Sequence, residues 1–250
     1  MVTRLTCTLL TILCLAPLYS GEEPVPPPKN QDPTVAERGY YEKYPQAWNH
    51  LHKAFAERAK KGGVDVLFIG DSLVQGWSDS PQKDVWKKHY EPLKGAAFGI
   101  GGDRTQQVLW RIANGELDGI APKVIVLMVG INNLLANDPA SKIADGTKKI
   151  VEALHQKVPA AKILLLGILP SGPNAGDAIR AKIKQVNALT AKFDDGKTVR
   201  VLDVGPKFLD AGGNIDPAKD LFQADALHLK PKGYEAWADA MKPLLDEMLK

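Results

Sequence analysis

The sequence predicts an α/β protein of three layers, α/β/α, built on a five-stranded parallel sheet. Two observations carry this. Short apolar runs recur five times, and most of them are continuous rather than alternating, as in strands buried on both faces. Between the runs lie longer amphipathic stretches, the alternation that parallel strands and their crossover helices produce. With 250 residues, 44% of them hydrophobic and 24% charged, the chain can bury one sizeable core.

The first segment stands apart from that pattern. Arg4 precedes a mostly apolar run from Leu5 to Leu18, followed by small Ser20 and Gly21. The run falls short of the about 20 apolar residues that a spanning helix needs, and its flanks predict a secretory signal peptide over residues 1–20. A secreted or periplasmic protein is expected. Cys7 and Cys14 both lie inside the segment, so the processed chain has neither a thiol nor a disulfide. Bulky Leu13 before Cys14 is a poor match to a lipoprotein signal, and no stable membrane anchor is expected. Residues 21–33 contain Pro24, Pro26, Pro27, Pro28 and Pro33 and predict an extended linker. A single domain then occupies residues 34–250.

The net charge is +3, and Arg4 is the only charge in the signal segment, so export changes it by one unit. This is too little to point to a nucleic-acid partner. Lys148, Lys149, Lys182 and Lys184 fall in predicted helices and read as solvated faces.

Within residues 34–61, Trp48, Leu51 and Phe55 have helical spacing. The apolar runs at 64–69, 96–98, 124–129, 163–168 and 199–202 read as strands. Helices are expected around 81–90, 105–114, 141–158 and 177–193. The third of these has Ile143, Ile150, Val151 and Leu154 on one face, and the fourth Ile179, Ile183, Val186 and Leu189. Pro231 announces a final helix carrying Tyr234, Trp237, Met241, Leu244 and Met248, with a kink or a weakened turn expected at Pro243. The alternation suits a flavodoxin-like strand order, in which ligands collect at the carboxyl ends of the strands.

The loops after the strands therefore bear the candidate chemistry. After the first strand the chain reads Gly70-Asp71-Ser72-Leu73. A serine hydroxyl is a weak nucleophile until a base takes its proton. Of five histidines, His50 and His52 sit two apart in a probable helix and face different ways, while His89 and His155 lie beside lysines and read as surface residues. His228 remains, three residues after Asp225, a spacing that lets one turn aim both side chains to the same side. Acyl transfer also needs donors for a developing oxyanion. Gly99-Ile100-Gly101-Gly102-Asp103 offers the Gly102 N–H, and Gly130-Ile131-Asn132-Asn133 offers side-chain amides. Together these loops supply every part a serine esterase requires.

The order GDSL, glycine loop, G-x-N-N, D-x-x-H resembles the SGNH/GDSL hydrolases over residues 64–245. Phe98-Gly99-Ile100-Gly101-Gly102-Asp103, Val108-Leu109-Trp110-Arg111 and Asn114-Gly115-Glu116-Leu117 are most similar to the branch holding the catalytic subunits of platelet-activating-factor acetylhydrolase Ib. The resemblance implies the fold of that family, Ser72 as nucleophile, and His228 as base oriented by Asp225. It also implies an oxyanion hole of the Ser72 N–H, the Gly102 N–H and the Asn132 amide. It implies no metal and no cofactor. Ala97 and Ile131 depart from the asparagine and threonine common in relatives, without removing a catalytic atom.

The expected activity is hydrolysis of small acyl esters, foremost acetyl, with carbohydrate as the favoured carrier and a lipid esterase as the second reading. A non-catalytic carbohydrate-binding protein is the rival of another class, for which Trp77 and Trp86 are candidate sugar-stacking residues. A nucleotide-binding loop is disfavoured because Arg104 stands where G-x-G-x-x-G requires glycine. An α/β-hydrolase elbow is disfavoured because Ser72-Leu73-Val74 lacks its second glycine.

Overall fold

The computed structural model describes residues 30–41 and 45–250. The expected signal peptide and residues 21–29 of the expected linker lie outside the described residues. The elements run α1 (Pro45–Lys60), β1 (Val66–Gly70), α2 (Ser72–Gln75), α3 (Lys83–His89), β2 (Gly95–Gly99), α4 (Thr105–Ala113), β3 (Val124–Met128), α5 (Ile131–Leu135), α6 (Ala140–Lys157), β4 (Lys162–Leu166), α7 (Ala178–Thr190), β5 (Val199–Leu202) and α8 (Pro231–Met248). The five strands are all parallel, in the order β2-β1-β3-β4-β5. This is the flavodoxin-like order expected of the alternation.

Every residue of β1 and β3 is buried, which is why these strands read as unbroken apolar runs. Successive side chains still alternate between layers. Val66, Phe68, Val124, Val126 and Leu164 pack toward Tyr234, Trp237, Met241 and Leu245 of α8. Leu67, Ile69, Ile125, Leu127 and Ile163 pack toward Val108 and Ile112 of α4 and Ile150 and Leu154 of α6. Each such side chain contributes about 1.5–3 kcal/mol by leaving water. Ile183 and Val186 of α7 join Ile143 and Ile131 in a third cluster. The helix from Pro231 continues through Pro243 to Met248 without a break.

The strand ends place the site. Gly70 is in register with Gly99 on one side and Met128 on the other, so β1, β2 and β3 end level and their loops emerge side by side. The end of β2 lies hard against α2: a Cβ on Gly99 would sit 2.0 Å from the Gln75 nitrogen, so only glycine fits.

Two expectations need correction. The helix within residues 34–61 begins only at Pro45, and residues 30–41 form an irregular arm. Within residues 30–33, expected to be unpacked linker, Pro33 is packed. Pro33 is buried and its carbonyl accepts a 2.8 Å hydrogen bond from Thr105 Oγ1. Further along the arm, the Glu37 N–H donates to the Gln106 carbonyl at 3.1 Å and Lys149 Nζ to the Thr34 carbonyl at 3.0 Å. The arm thus satisfies its backbone on α4 and α6 rather than in water.

Candidate active site

Ser72 is the first residue of α2. Asp71 caps this helix, its Oδ1 accepting from the Leu73 N–H at 3.0 Å. A first-turn N–H has no acceptor within its own helix, so the Ser72 N–H is available to a ligand beside its own hydroxyl. Burial, the largest influence, pushes the Asp71 carboxyl up to about 7 against the pull of the Leu73 N–H and His228.

His228 reaches this serine from the loop before α8. Its Nε2 is 2.9 Å from Ser72 Oγ, and its Nδ1 is 2.6 Å from Asp225 Oδ2. The ionised carboxylate can only accept, so Nδ1 carries the proton and Nε2 is left to accept from the serine. One tight turn makes this possible. Asp225 Oδ1 accepts the N–H groups of Leu227 and His228, each at 3.0 Å, while Ala226 takes a left-handed φ of 51°. Burial opposes the Asp225 charge, but the bonds from the His228 ring and the two backbone N–H groups outweigh it and hold its carboxyl below the usual range.

The expected oxyanion donors lie on the loops after β2 and β3. Gly102 has φ +77°, a left-handed backbone that favours glycine, and its N–H has no acceptor among the described residues. The preceding Gly101 N–H is held by Gln75 Oε1 at 2.6 Å, and the Gly101 carbonyl accepts from the Tyr41 hydroxyl at 2.7 Å. Burial pushes that hydroxyl up to about 12, keeping it a neutral donor. Asn132, in the first turn of α5, donates one amide hydrogen to the Asp103 carbonyl at 2.9 Å and keeps a second for a ligand. Asn133 is fully committed elsewhere: it is buried, its Oδ1 accepts from the Thr105 N–H at 3.0 Å, and its Nδ2 donates to Gln106 Oε1 and Asp138 Oδ2. Of the two amides the sequence left open, only that of Asn132 is available.

Trp77 does not line this site. It is 0% exposed, in the short helical turn Gly76–Ser78, with its ring against Phe68, Trp86, Tyr90, Tyr234 and Trp237. That corrects its reading as a substrate-binding residue: closeness to the serine in sequence places it one turn later on the opposite, core-facing side. His89 is not the free surface residue expected, and His52 is also paired. His52 is buried with Nδ1 3.0 Å from Glu116 Oε1, and His89 Nε2 is 2.9 Å from Glu235 Oε1. Sequence reasoning missed Gln75, whose three-residue spacing from Ser72 on a helical turn was the available signal, and Tyr41, for which there was none.

Among the described residues one cluster could hold a metal ion, His89 with Glu235 and Asp239, but Glu235 Oε1 is already shared by Lys88 and His89. Among them, too, no helix is long and apolar enough to cross a membrane.

Comparison of the whole sequence with known proteins places it in a family. The profile of the GDSL-like lipase/acylhydrolase family matches residues 68–236. The chain belongs to this family. As a GDSL-like acylhydrolase it is an ester hydrolase. It is 38% identical over 203 residues to the human platelet-activating factor acetylhydrolase IB subunit alpha1, covering 81% of this chain and 84% of that one. It is 38% identical over 204 residues to the alpha2 subunit of Rattus norvegicus, covering 81% and 85%. A GDSL-like lipase from Bacteroides thetaiotaomicron superposes with a TM-score of 0.61 at 17% identity, over 78% of this chain and 97% of that one. A catalytic mutant of an acetylxylan esterase from Geobacillus stearothermophilus gives 0.59 at 18%, over 75% and 94%. These two structures share the fold.

Proposed function

We propose that this GDSL-like acylhydrolase is an exported serine esterase that removes small acyl groups, foremost acetyl, from carbohydrate through an acyl-enzyme. The observation that carries the proposal is the 2.9 Å approach of His228 Nε2 to Ser72 Oγ, with Asp225 behind the imidazole. Ser72 Oγ attacks the ester carbonyl while His228 Nε2 takes its proton. The oxyanion is met by the N–H groups of Ser72 and Gly102 and the second amide hydrogen of Asn132. On collapse, His228 returns the proton to the departing alcohol oxygen. Water, deprotonated by His228, then attacks the acyl-enzyme and releases the carboxylic acid.

The preference for a short acyl group rests on the comparisons. The acetylhydrolase names of the relatives and the acetylxylan esterase name of a structural neighbour point to acetyl. Export rests on the apolar segment after Arg4. The specific alternative is an acetyl ester on a lipid, favoured by the 38% identity to subunits named for platelet-activating factor.

The test is hydrolysis of p-nitrophenyl acetate, butyrate and octanoate, followed by acetylated xylo-oligosaccharides against an acetylated ether phospholipid. Activity that falls steeply with chain length and turns over the sugar ester supports the proposal. A preference for octanoate or for the phospholipid overturns the carbohydrate assignment.

A further inference from the structure

The proposed mechanism leaves one large buried group unused, and that group joins the ends of β1 and β2 to Asp103 of the glycine loop. Arg111 of α4 is 0% exposed. Its Nε donates to Glu116 Oε1 at 2.8 Å and Oε2 at 2.9 Å, its Nη1 to Asp103 Oδ2 at 2.7 Å and to the Gly70 carbonyl at 3.1 Å, and its Nη2 to the Phe98 carbonyl. Gly70 and Phe98 lie at the ends of β1 and β2, where the chain turns into the Ser72 and Gly102 loops. Asp103, itself 1% exposed, is held on its other oxygen by Trp48 Nε1 at 2.6 Å. The carbonyl of that same Asp103 receives the Asn132 amide at 2.9 Å.

We propose that Arg111 and Asp103 are positioning residues for the oxyanion hole: the guanidinium fixes the Asp103 carboxylate, and the Asp103 carbonyl thereby sets the direction of the free Asn132 amide hydrogen. The inference rests on the reading of Asn132 as an oxyanion donor. The network acts by orientation and not by charge. Asp103 and Glu116 both pair with the one guanidinium, so the cluster brings no net positive potential to a developing anion. Orientation matters because an amide can be rotated away at little cost, and a displacement of about 1 Å at a reacting centre can lower a rate by about 100-fold. The carbonyl bond removes that freedom before substrate arrives, which is what a preorganised oxyanion donor requires.

A buried ion network could instead act only on stability, and a double-mutant cycle on kcat separates the two. Asp103→Asn can keep its one oxygen as acceptor for Trp48 only by turning its amide nitrogen, a donor, to the Arg111 guanidinium. With p-nitrophenyl acetate it is expected to lower kcat about 10- to 100-fold with KM within about twofold. Asn132→Ala removes the donor itself. If Asp103 acts through Asn132, the double variant is no slower than Asn132→Ala alone, within about twofold. Multiplied losses, or a wild-type kcat in Asp103→Asn, overturn the positioning role while leaving the esterase assignment in place. A wild-type kcat in Asn132→Ala overturns the donor assignment and this inference with it; loss of activity in Ser72→Ala shows separately whether the esterase reading stands. Should Asp103→Asn not fold, Trp48→Phe releases the same carboxylate from its other side. It is expected to show a smaller kcat loss, on the order of 3- to 10-fold, equally absent from the Asn132→Ala background; multiplied losses there carry the same refutation.

Discussion

Replacing Asp225 by asparagine tests the proposed triad at the atom where the geometry is most restrictive. Asp225 Oδ1 accepts two backbone N–H groups, from Leu227 and His228. Only the oxygen of an asparagine can take that place, because its amide nitrogen would face donors. The nitrogen is then turned to His228 Nδ1, where a carboxylate oxygen stands 2.6 Å away in the wild type. An amide donor there forces Nδ1 to be the acceptor and moves the ring proton to Nε2. His228 would donate to Ser72 Oγ instead of accepting from it, and the base is lost without any change in side-chain volume. For a buried triad aspartate this exchange lowers turnover about 10,000-fold. Here the two side chains are 35% and 46% exposed, for His228 and Asp225, so water can compete for the ring. We expect kcat/KM for p-nitrophenyl acetate to fall by about 100- to 10,000-fold, or ~3–5 kcal/mol. The melting transition should be retained because the turn keeps its two backbone bonds. Activity within tenfold of wild type in a folded Asp225→Asn variant would refute the reasoning.

Three further outcomes follow from the same geometry. Asn132→Ala should reduce turnover by about 100-fold or more with little change in melting, whereas Asn133→Ala should act mainly on stability; the reverse ranking would exchange their roles. Trp77→Ala should cost about 3–5 kcal/mol in urea unfolding, because it empties the aromatic core between β1 and α8. A folded variant with unchanged stability and a raised KM for sugar esters would return Trp77 to the substrate. Asp71 has its carboxyl raised from 3.8 to about 7 in the fold. The folded state then holds a proton that the unfolded state has released, so the stability this group contributes is present below about pH 4 and is lost as pH rises toward 7. Asp71→Asn should therefore gain on wild type between pH 4 and 7, by up to about 1.4 kcal/mol per pH unit, read from urea midpoints. Parallel pH profiles would contradict this.

The sheet, its order and the residues now gathered around Ser72 were legible because each depended on local pattern. The five apolar runs marked the strands, and the loops after three of them carried Ser72, Gly102 and Asn132. Boundaries drifted where burial outlasts the ladder: Val64 is buried before β1 begins, and Ile168 is buried after β4 ends. What could not be read were long-range pairings that no chemical motif announces. His52 and Glu116 meet from 64 residues apart, and nothing in α1 announces that contact. Trp77 was misread because chain proximity to Ser72 does not fix the side of the turn from which a ring projects. Spacing alone offered both Asn132 and Asn133, and the resemblance pointed to Asn132; that Asn133 is committed to Thr105, Gln106 and Asp138 is a property of the folded loops.

The central claim is that Ser72 is a nucleophile activated by His228. A fluorophosphonate, which forms a stable covalent adduct with an activated serine, tests it most directly by intact mass and peptide mapping. The account predicts one adduct per chain on the peptide containing Ser72, none in Ser72→Ala, and strongly slowed labelling in His228→Ala. Labelling that persists in Ser72→Ala, or that proceeds at the wild-type rate without His228, would contradict it.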